Sequence, residues 1–331
     1  MDPASVFIAA ALLAVWASAL LVRDRFALPT ISPGSIKFTH LLPATLQCIL
    51  FAYWATYWWP VVEHVPVLAL QLAAAYGIDF LLGWTLRRQY GPTLGPVPVV
   101  LSANLFVWFG DNFLCYLLVI AVALVSKVFL VARRRHIFNP SVLGLAVFGV
   151  LTVVLPAQFR YQDISHDFNR PPYMAHLIVL LALVPQIRLR TAPVALGASV
   201  AMLATMLIVY ALIGYRGGPS PWWPPWLLAI TLLAGDPATI PAATASRLLF
   251  GLTLGVLFYV VSRVMLVYPG TDIFSKIIPI PIANSMVPWF DRGAVWLEAR
   301  WPRLCQEDTN RAYVVAWIAL SLFMLIGGAR S

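Results

Sequence analysis

The chain has 331 residues, of which 61% are hydrophobic and 11% are charged, and its formal net charge at pH 7 is +9. This composition excludes an ordinary soluble domain, and the absence of regularly alternating apolar and polar positions excludes a transmembrane β-barrel. Long apolar runs separated by short basic segments instead predict an all-α polytopic membrane protein.

Hydropathy predicts twelve transmembrane helices. The first apolar run ends at Arg23-Asp24-Arg25 without a small-residue cleavage pattern, so we interpret it as a retained span and not as a signal sequence. The predicted spans are 5–22, 41–59, 66–85, 97–110, 113–132, 141–157, 174–186, 191–214, 223–234, 246–267, 273–290 and 312–328.

The distribution of positive charge predicts the orientation. With the N-terminus outside, fifteen of the 22 Lys and Arg residues fall in inner segments and only four in outer segments, as the positive-inside rule requires. The outer four are Arg160, Arg170, Arg216 and Arg330, and three more (Lys127, Arg263 and Lys276) lie within spans. Tryptophans mark the predicted outer boundaries, namely Trp58, Trp59, Trp222, Trp223 and Trp226. The basic balance is therefore topological, and we predict contact with the lipid bilayer and no nucleic-acid partner.

An internal repeat is visible in two helix ends. VSKVFLVARRRHIF (125–138) and VSRVMLVYPGTDIF (261–274) share seven of fourteen positions, and Lys127 aligns with Arg263. Because the two copies cross the membrane in opposite directions in the predicted topology, the segments 41–157 and 174–290 are predicted to be inverted five-helix repeats.

The third span of each predicted repeat is short, and each short span ends next to a Gly-Asp pair. Short, broken helices at matching positions of an inverted repeat indicate a binding site within the membrane. We therefore expect a ten-helix core over 41–291. Residues 1–40 add an N-terminal helix with a cytoplasmic linker, and 292–331 add a linker and a C-terminal helix.

Two proline pairs on the cytoplasmic side have the chemistry of helix starts. Asn139-Pro140 and Asp236-Pro237 each combine a capping side chain with a proline at the first helical position. Two helix N-termini that open on one face would offer free N–H groups to a phosphate, a carboxylate, or a flavin or quinone carbonyl. The alternative is that both pairs only cap helices.

Asp79 and Lys127 are ionisable residues within predicted spans, at similar distances from the cytoplasmic side. Intramembrane charges are costly and indicate function by default. The two could form a structural ion pair, or Lys127 could hold an anionic reduced cofactor while Asp79 serves a proton or ion pathway. Lys127 could also extend its ammonium group to the interface.

Other cofactor chemistry has no support in the sequence. The five histidines do not form a pair on facing helices at matching depth, so no haem or metal site is predicted, and His136 is expected to lie at the interface. Hydrolase triads, phosphate-binding loops and dinucleotide fingerprints are also absent from the sequence.

Four stretches resemble the NqrB/RnfD family, the related membrane components of the sodium-pumping NADH:quinone reductase and of the Rnf electron-transport complex. They are SKVFLVARRRHIFNPSVLGLAVF, LPAQ, LLAGDPATIPAATASRLLFGLTLGVL and YPGTDIFSKIIPIPIANSMVPWFD, within about 41–291. The residues that match the family motifs are Lys127, Asn139 and Pro140; Asp236, Pro237, Thr239, Pro241 and Arg247; and Pro269, Gly270, Asn284, Pro288 and Asp291. We predict that the cofactor is bound by Lys127, His136, Asn139, Pro140, Asp236, Pro237, Thr239 and Arg247.

The resemblance implies ten core helices in inverted repeats and flavin-mediated electron transfer with partner subunits, membrane-bound or soluble, in the bacterial inner membrane. Members with covalent FMN attach it to the threonine of an SGAT-type motif in the loop that here reads FRYQDISHDFNRPPYMAH. This loop contains Ser165 but no Gly-Ala-Thr. The chain therefore resembles a shorter branch of the family, for which non-covalent riboflavin or FMN is the expected cofactor and covalent FMN is not.

Three functions remain open at this point. The first is a membrane electron-transport subunit that binds a non-covalent flavin or quinone on the cytoplasmic side, with His136 beside the Asn139 and Asp236 helix starts and ion movement as a further role. The second is a transporter or channel for a small solute or ion on the same scaffold. The third is a non-catalytic membrane partner in a biosynthetic or maturation complex.

Overall fold

The structure, a computed structural model, describes residues 2–34, 38–132, 135–215, 218–268, 270–300 and 309–328. Most of these residues are helical. Five helices of the described chain are long and apolar enough to cross a membrane. They are Pro3–Arg23, Pro60–Arg87, Ala192–Ile213, Thr244–Met265 and Thr309–Ile326. The prediction of an all-α membrane protein is confirmed at this level, whereas the full set of twelve crossings stays a prediction.

Apolar side chains remain exposed along these helices, which is the surface expected of a chain that faces lipid. In the N-terminal helix Phe7 is 74% exposed and Val22 is 75% exposed. In water these exposed side chains would contribute no hydrophobic stabilisation, because only a methylene removed from water contributes about 0.8 kcal/mol. In a bilayer the same side chains face hydrocarbon.

The chain divides into two compact units, and the first comprises Met1–Val131 and Pro140–Ser165. Its helices are α1 Pro3–Arg23, α2 Phe38–Tyr57, α3 Pro60–Glu63, α4 Val65–Arg87, α5 Pro96–Asn104, α6 Phe113–Phe129 and α7 Pro140–Val154. Two-residue strands tie its loops: Thr30–Ile31 pairs in parallel with Gln89–Tyr90, and Val107–Trp108 pairs antiparallel with Gln162–Asp163. The first unit's first segment ends within the short strand Val131–Ala132, and the short strand Arg135–His136 belongs to the second unit.

The second unit comprises Ala132–Asn139 and His166–Ser331. Its α-helices are α8 Met174–Arg188, α9 Ala192–Ile213, α10 Pro224–Leu228, α11 Thr244–Met265, α12 Pro279–Ser285, α13 Val287–Arg300 and α14 Thr309–Gly328. A π-helical turn, Ala229–Leu233, continues α10, and a 3₁₀ helix, Asp272–Lys276, precedes α12. Another 3₁₀ turn, Ser165–Asn169, lies at the boundary of the two units.

Most predicted spans coincide with a helix of the structure. The two spans predicted to be short are short helices: α5 has nine residues, and α10 has five before its π-helical continuation. The relation between the two predicted repeats stays a prediction.

The predicted span 273–290 is wrong. The segment is divided into the 3₁₀ helix, α12 and the beginning of α13. Its prolines supply the physical reason, because a proline donates no backbone hydrogen bond and its ring clashes with the carbonyl four residues earlier in a continuous helix. Pro279 is the first residue of α12, and Pro288 is the second residue of α13, where neither interrupts a helix interior.

Helices α9 and α11 pack with their backbones in direct contact. A Cβ on Gly251 would collide with the carbonyl oxygen of Val194, and one on Gly255 would collide with that of Ala198. Small residues allow this close approach. In lipid no hydrophobic driving force acts between helices, so the van der Waals contacts of closely packed backbones hold them together.

We expect Gly251→Ala to destabilise the second unit by about 1–3 kcal/mol, because the added methyl group has no space between α9 and α11. The measurement is thermal unfolding of the detergent-solubilised protein. Gly293→Ala in α13 is the matched control, since a Cβ there meets only Leu249 at 3.9 Å, an ordinary contact. Equal melting temperatures for the two variants would show that a methyl group at Gly251 does have space between α9 and α11.

Candidate functional site

Three segments that carry the family resemblance meet in one hydrogen-bonded cluster within the second unit. The Asn139 side chain donates from Nδ2 to the carbonyl of Leu233 at 3.0 Å, and the Asn139 amide lies 3.5 Å from Oδ1 of Asn284. Asn284 in turn donates to the carbonyl of Thr239 at 3.2 Å. Asn139, Thr239 and Asn284 are all buried. Residues as far as 145 positions apart in the chain are thus brought together.

Asp236-Pro237 does not begin a helix, so the predicted helix start at this pair is wrong, whereas its role in a binding site stays a prediction. Asp236 begins a turn, in which its Oδ1 accepts from the amide of Ala238 at 3.0 Å and its carbonyl accepts from the amides of Thr239 and Ile240. The helix that follows, α11, starts only at Thr244.

The sequence of the turn explains this difference. A helix starting at Pro237 would need residue 241 to donate an N–H to the Pro237 carbonyl, and residue 241 is a proline. The Pro237 carbonyl instead accepts from Nη2 of Arg135 at 2.5 Å, and the Ile240 carbonyl accepts from the same nitrogen at 3.0 Å. We refer to residues 235–243 together with Arg135 as the Arg135 clamp.

Electrostatics in the clamp centre on the Asp236 carboxyl. Protein surrounds this carboxyl although part of the residue remains accessible, and the resulting desolvation raises its pKa. The hydrogen bond from Ala238 and the nearby His136 and Arg135 act in the opposite direction without cancelling the effect of burial. A carboxyl whose pKa is raised by burial binds a proton more readily than an exposed one.

Arg247, which we predicted to be a cofactor-binding residue, binds backbone carbonyls in the structure. Its Nε donates to Pro241 at 2.9 Å, and its Nη1 donates to Leu189 at 3.1 Å and Arg190 at 2.7 Å. Arg247 therefore fastens the end of the clamp loop to the turn between α8 and α9.

The other predicted helix start is present. Pro140 is the first residue of α7, the position where a missing N–H costs no hydrogen bond. Pro140 belongs to the first unit and Asn139 to the second, so only Asn139 is part of the clamp cluster described above.

Lys127 and Asp79 come together in the first unit, at a distance from which the ammonium group acts electrostatically on the carboxyl. Tyr90 forms a hydrogen bond with the same carboxyl. Lys127 Nζ also lies against Gly95, where a Cβ would collide with it. Burial and the adjacent Asp79 raise the pKa of Tyr90 to about 12, so its hydroxyl remains a donor at physiological pH.

The predicted similar distance of Asp79 and Lys127 from their helix ends is wrong. Lys127 lies in the last turn of α6, whereas Asp79 lies two turns before the end of α4 at Arg87. Helix α6 ends at Phe129, earlier than the hydrophobic run in the sequence suggests. The pair forms all the same, because a lysine side chain is long enough to compensate for the offset.

A second polar network of the first unit was not found from the sequence. His64 Nε2 bonds Oδ1 of Asn104 at 2.9 Å, and Asn104 donates to Gln71 at 2.6 Å. The His64 ring stacks on Trp108 with 4.1 Å between ring centroids. Single polar residues on three separate elements gave no motif, so only the tertiary structure identifies this network.

Arg135 was also missed as a contributor to the candidate site. In the sequence it is one of three consecutive arginines that the positive-inside rule accounts for in full. No local pattern distinguishes the arginine that binds Pro237 and Ile240, 102 and 105 residues away, from its neighbours.

Comparison with protein-family models and with curated proteins finds no match to this chain. The resemblance to the electron-transport family therefore stays a prediction based on the four stretches and on the residues named above.

The raised pKa of Asp236 predicts a specific pH dependence. Because the folded-state pKa lies above the unfolded-state value, Asp236 contributes stability at low pH that is lost as the pH rises through the folded-state pKa. Asp236→Asn keeps the acceptor for Ala238 and cannot ionise. We expect its melting temperature, relative to the unmodified protein, to rise between pH 4 and pH 8. If the difference in melting temperature between the two proteins did not change with pH, the Asp236 carboxyl would not have the raised pKa that desolvation predicts.

The Asp79–Lys127 pair is testable by a double-mutant cycle. Lys127→Gln removes the stronger of the two positive charges that act on the Asp79 carboxyl and leaves only Arg87, and we expect a loss of about 1–3 kcal/mol in unfolding free energy. Adding Asp79→Asn should recover most of this loss, because the uncompensated charge is then absent. Additive effects of the two substitutions, measured in the same detergent, would show that the two residues do not interact.

Proposed function

We propose that this protein is a membrane electron-transport subunit that binds a non-covalent flavin or quinone at the Arg135 clamp and exchanges electrons with partner subunits. In the predicted topology the clamp lies on the cytoplasmic side of the bacterial inner membrane. The observation that carries the proposal is the convergence of Asn139, Asp236–Thr239 and Asn284 in one buried cluster, because these residues come from the separate segments that resemble the redox family.

The donor set at the clamp fits such a ligand. Arg135 uses Nη2 for the two loop carbonyls, and within the described chain Nε and Nη1 have no acceptor. A guanidinium has five N–H donors, so three of them remain for a ligand carbonyl. The Asp236 carboxyl beside them can accept or donate, which complements the alternating C=O and N–H groups of a flavin ring edge.

Within this site the side chains have distinct tasks. A bound flavin or quinone would supply the redox chemistry, which the polypeptide lacks. Arg135 provides positive charge that favours an anionic reduced ligand. Asp236, whose raised pKa lets it take up a proton more readily than an exposed carboxyl, is the group that would exchange a proton with the ligand. Asn139 and Asn284 fix the loop that carries Asp236, so that these groups keep their positions.

An ion or solute transporter is the second candidate, and one observation favours it. Asp79 lies on Pro60–Arg87, a helix long enough to span the membrane, and it interacts there with Lys127 of α6 and with Tyr90. Ionisable residues within spans mark proton and ion pathways in many pumps. The same cluster could also couple ion movement to the proposed electron transfer.

Cofactor analysis of the purified protein tests the first candidate. The chain is purified in mild detergent, and its flavin and quinone contents are measured by visible absorption and by mass spectrometry of the extract. We expect Arg135→Gln to reduce retained cofactor about tenfold, since a hydrogen bond to a charged group contributes about 1.5–3 kcal/mol. Asn139→Ala should also reduce it, because the loop loses its contact with Leu233.

Asn112→Ala is the matched control for Asn139→Ala. Asn112 caps α6 through the amides of Leu114 and Cys115 and belongs to the first unit. It should cost helix stability without changing cofactor content. A colourless protein that binds neither added flavin nor added quinone would overturn the redox proposal. Ion flux into proteoliposomes that contain this chain alone, abolished by Asp79→Asn, would then favour the transporter.

A further inference from the structure

A cavity of about 670 Å³ lies within the second unit, apart from the Arg135 clamp. Its walls come from the tryptophans that precede and begin α10, from the C-terminal ends of α11 and α14, and from the 3₁₀ helix at Asp272. Ligand pockets in proteins typically enclose about 300–1,000 Å³, so this cavity is large enough for a complete polar headgroup with adjoining apolar groups.

One wall of the cavity carries an unsatisfied donor. Trp222 is 5% exposed, and its indole Nε1 has no hydrogen-bond partner in the described part of the chain. A buried donor without an acceptor costs about 1–3 kcal/mol in free energy. Neighbouring atoms cover Nε1, so an oxygen atom of a bound molecule reaches it only after a small movement of the indole, and that contact would remove this cost.

Charge in the cavity is unbalanced in favour of an anion. Asp272 is neutralised by Lys276, whose Nζ lies 2.7 Å from Oδ2 and near the ring of Trp226. The Arg263 guanidinium lies 4.4 Å above the Tyr215 ring, and no carboxylate of the described residues is within salt-bridge distance of it. Arg263 is therefore the positive charge that is left for a ligand.

The position of the cavity corresponds to a membrane boundary. Arg263 and Leu266 lie at the C-terminal end of α11, and Met324 and Leu325 lie near that of α14, and both helices are candidate membrane spans. Apolar side chains next to the cavity face outward: Val267 is 74% exposed and Phe323 is 73% exposed. Tryptophan and arginine at helix ends occupy the headgroup level of a bilayer.

We propose that this cavity binds one anionic phospholipid. The phosphodiester oxygens accept from Trp222 Nε1 and from Arg263, which gives the lipid a charge-assisted contact and satisfies the buried indole. The acyl chains leave the cavity past Leu266, Met324 and Leu325 and continue along the apolar outer faces of α11 and α14. The bound lipid fills the gap between two helix ends and is expected to stabilise their packing.

Native mass spectrometry of the full chain tests this site. The protein is reconstituted in nanodiscs of phosphatidylcholine containing phosphatidylglycerol and is released into detergent, and retained lipid is counted. We expect phosphatidylglycerol to be retained in preference to phosphatidylcholine. Arg263→Gln should weaken this retention about tenfold, and Trp222→Phe, which removes only the N–H donor, should weaken it several-fold.

Two control variants match these changes. Arg311→Gln removes one positive charge at the opposite end of α14, and Trp289→Phe alters a tryptophan that is 61% exposed on α13. Both should retain phosphatidylglycerol like the unmodified protein. Trp222→Phe preserves the aromatic wall, so the test remains available if Arg263→Gln fails to fold.

Three results would overturn the proposal. They are equal retention of phosphatidylcholine and phosphatidylglycerol, unchanged retention in both cavity variants, and displacement of the lipid by inorganic phosphate alone at equal affinity. The last result would assign the cavity to a soluble anion. None of these measurements depends on flavin or quinone at the Arg135 clamp, so the two proposals can fail separately.

Discussion

A polar group that leaves water must find its partner within the protein, and this constraint governs the whole chain. In a bilayer each unsatisfied backbone group costs several kcal/mol, so the chain crosses it as helices that satisfy their own amides. This constraint matters most at the ends of the helices. The loop after the π-helical turn cannot form a helix, because Pro237 and Pro241 stand four residues apart. Arg135 and Arg247 supply the missing donors to its carbonyls.

Arginine is well suited to this task because its planar group carries several donors on a cation that does not lose its proton. Two arginines from distant parts of the second unit replace the hydrogen bonds that a regular helix would have provided. The loop is thereby held in an irregular conformation with the Asp236 carboxyl desolvated at its centre. This fixed, irregular segment with an acid at its centre is the reason why we propose a ligand site here.

The first unit meets the same constraint with side-chain pairs. Asp79 is accompanied by Lys127 and Tyr90, and His64, Asn104 and Gln71 satisfy one another in series. Each network joins different helices, so the polar groups contribute to which helices are neighbours. At the cavity of the second unit, the described chain leaves the Trp222 donor without an acceptor and the Arg263 charge without a carboxylate, which is why an anionic lipid is the proposed occupant.

The sequence by itself determined the class of protein, most helix positions, the short third helices and the helix start at Pro140, because hydrophobic length and proline placement act locally. It also predicted a site at Asn139, Asp236 and Thr239, which the structure brings close together, although it assigned a helix to the turn at Pro237. Only the tertiary structure decided that Asn284 and Arg135 join these residues, that 273–290 is divided, and that Trp222 and Arg263 line a cavity. These outcomes depend on contacts between residues far apart in the chain, whose hydrogen-bond partners and packing no local pattern records.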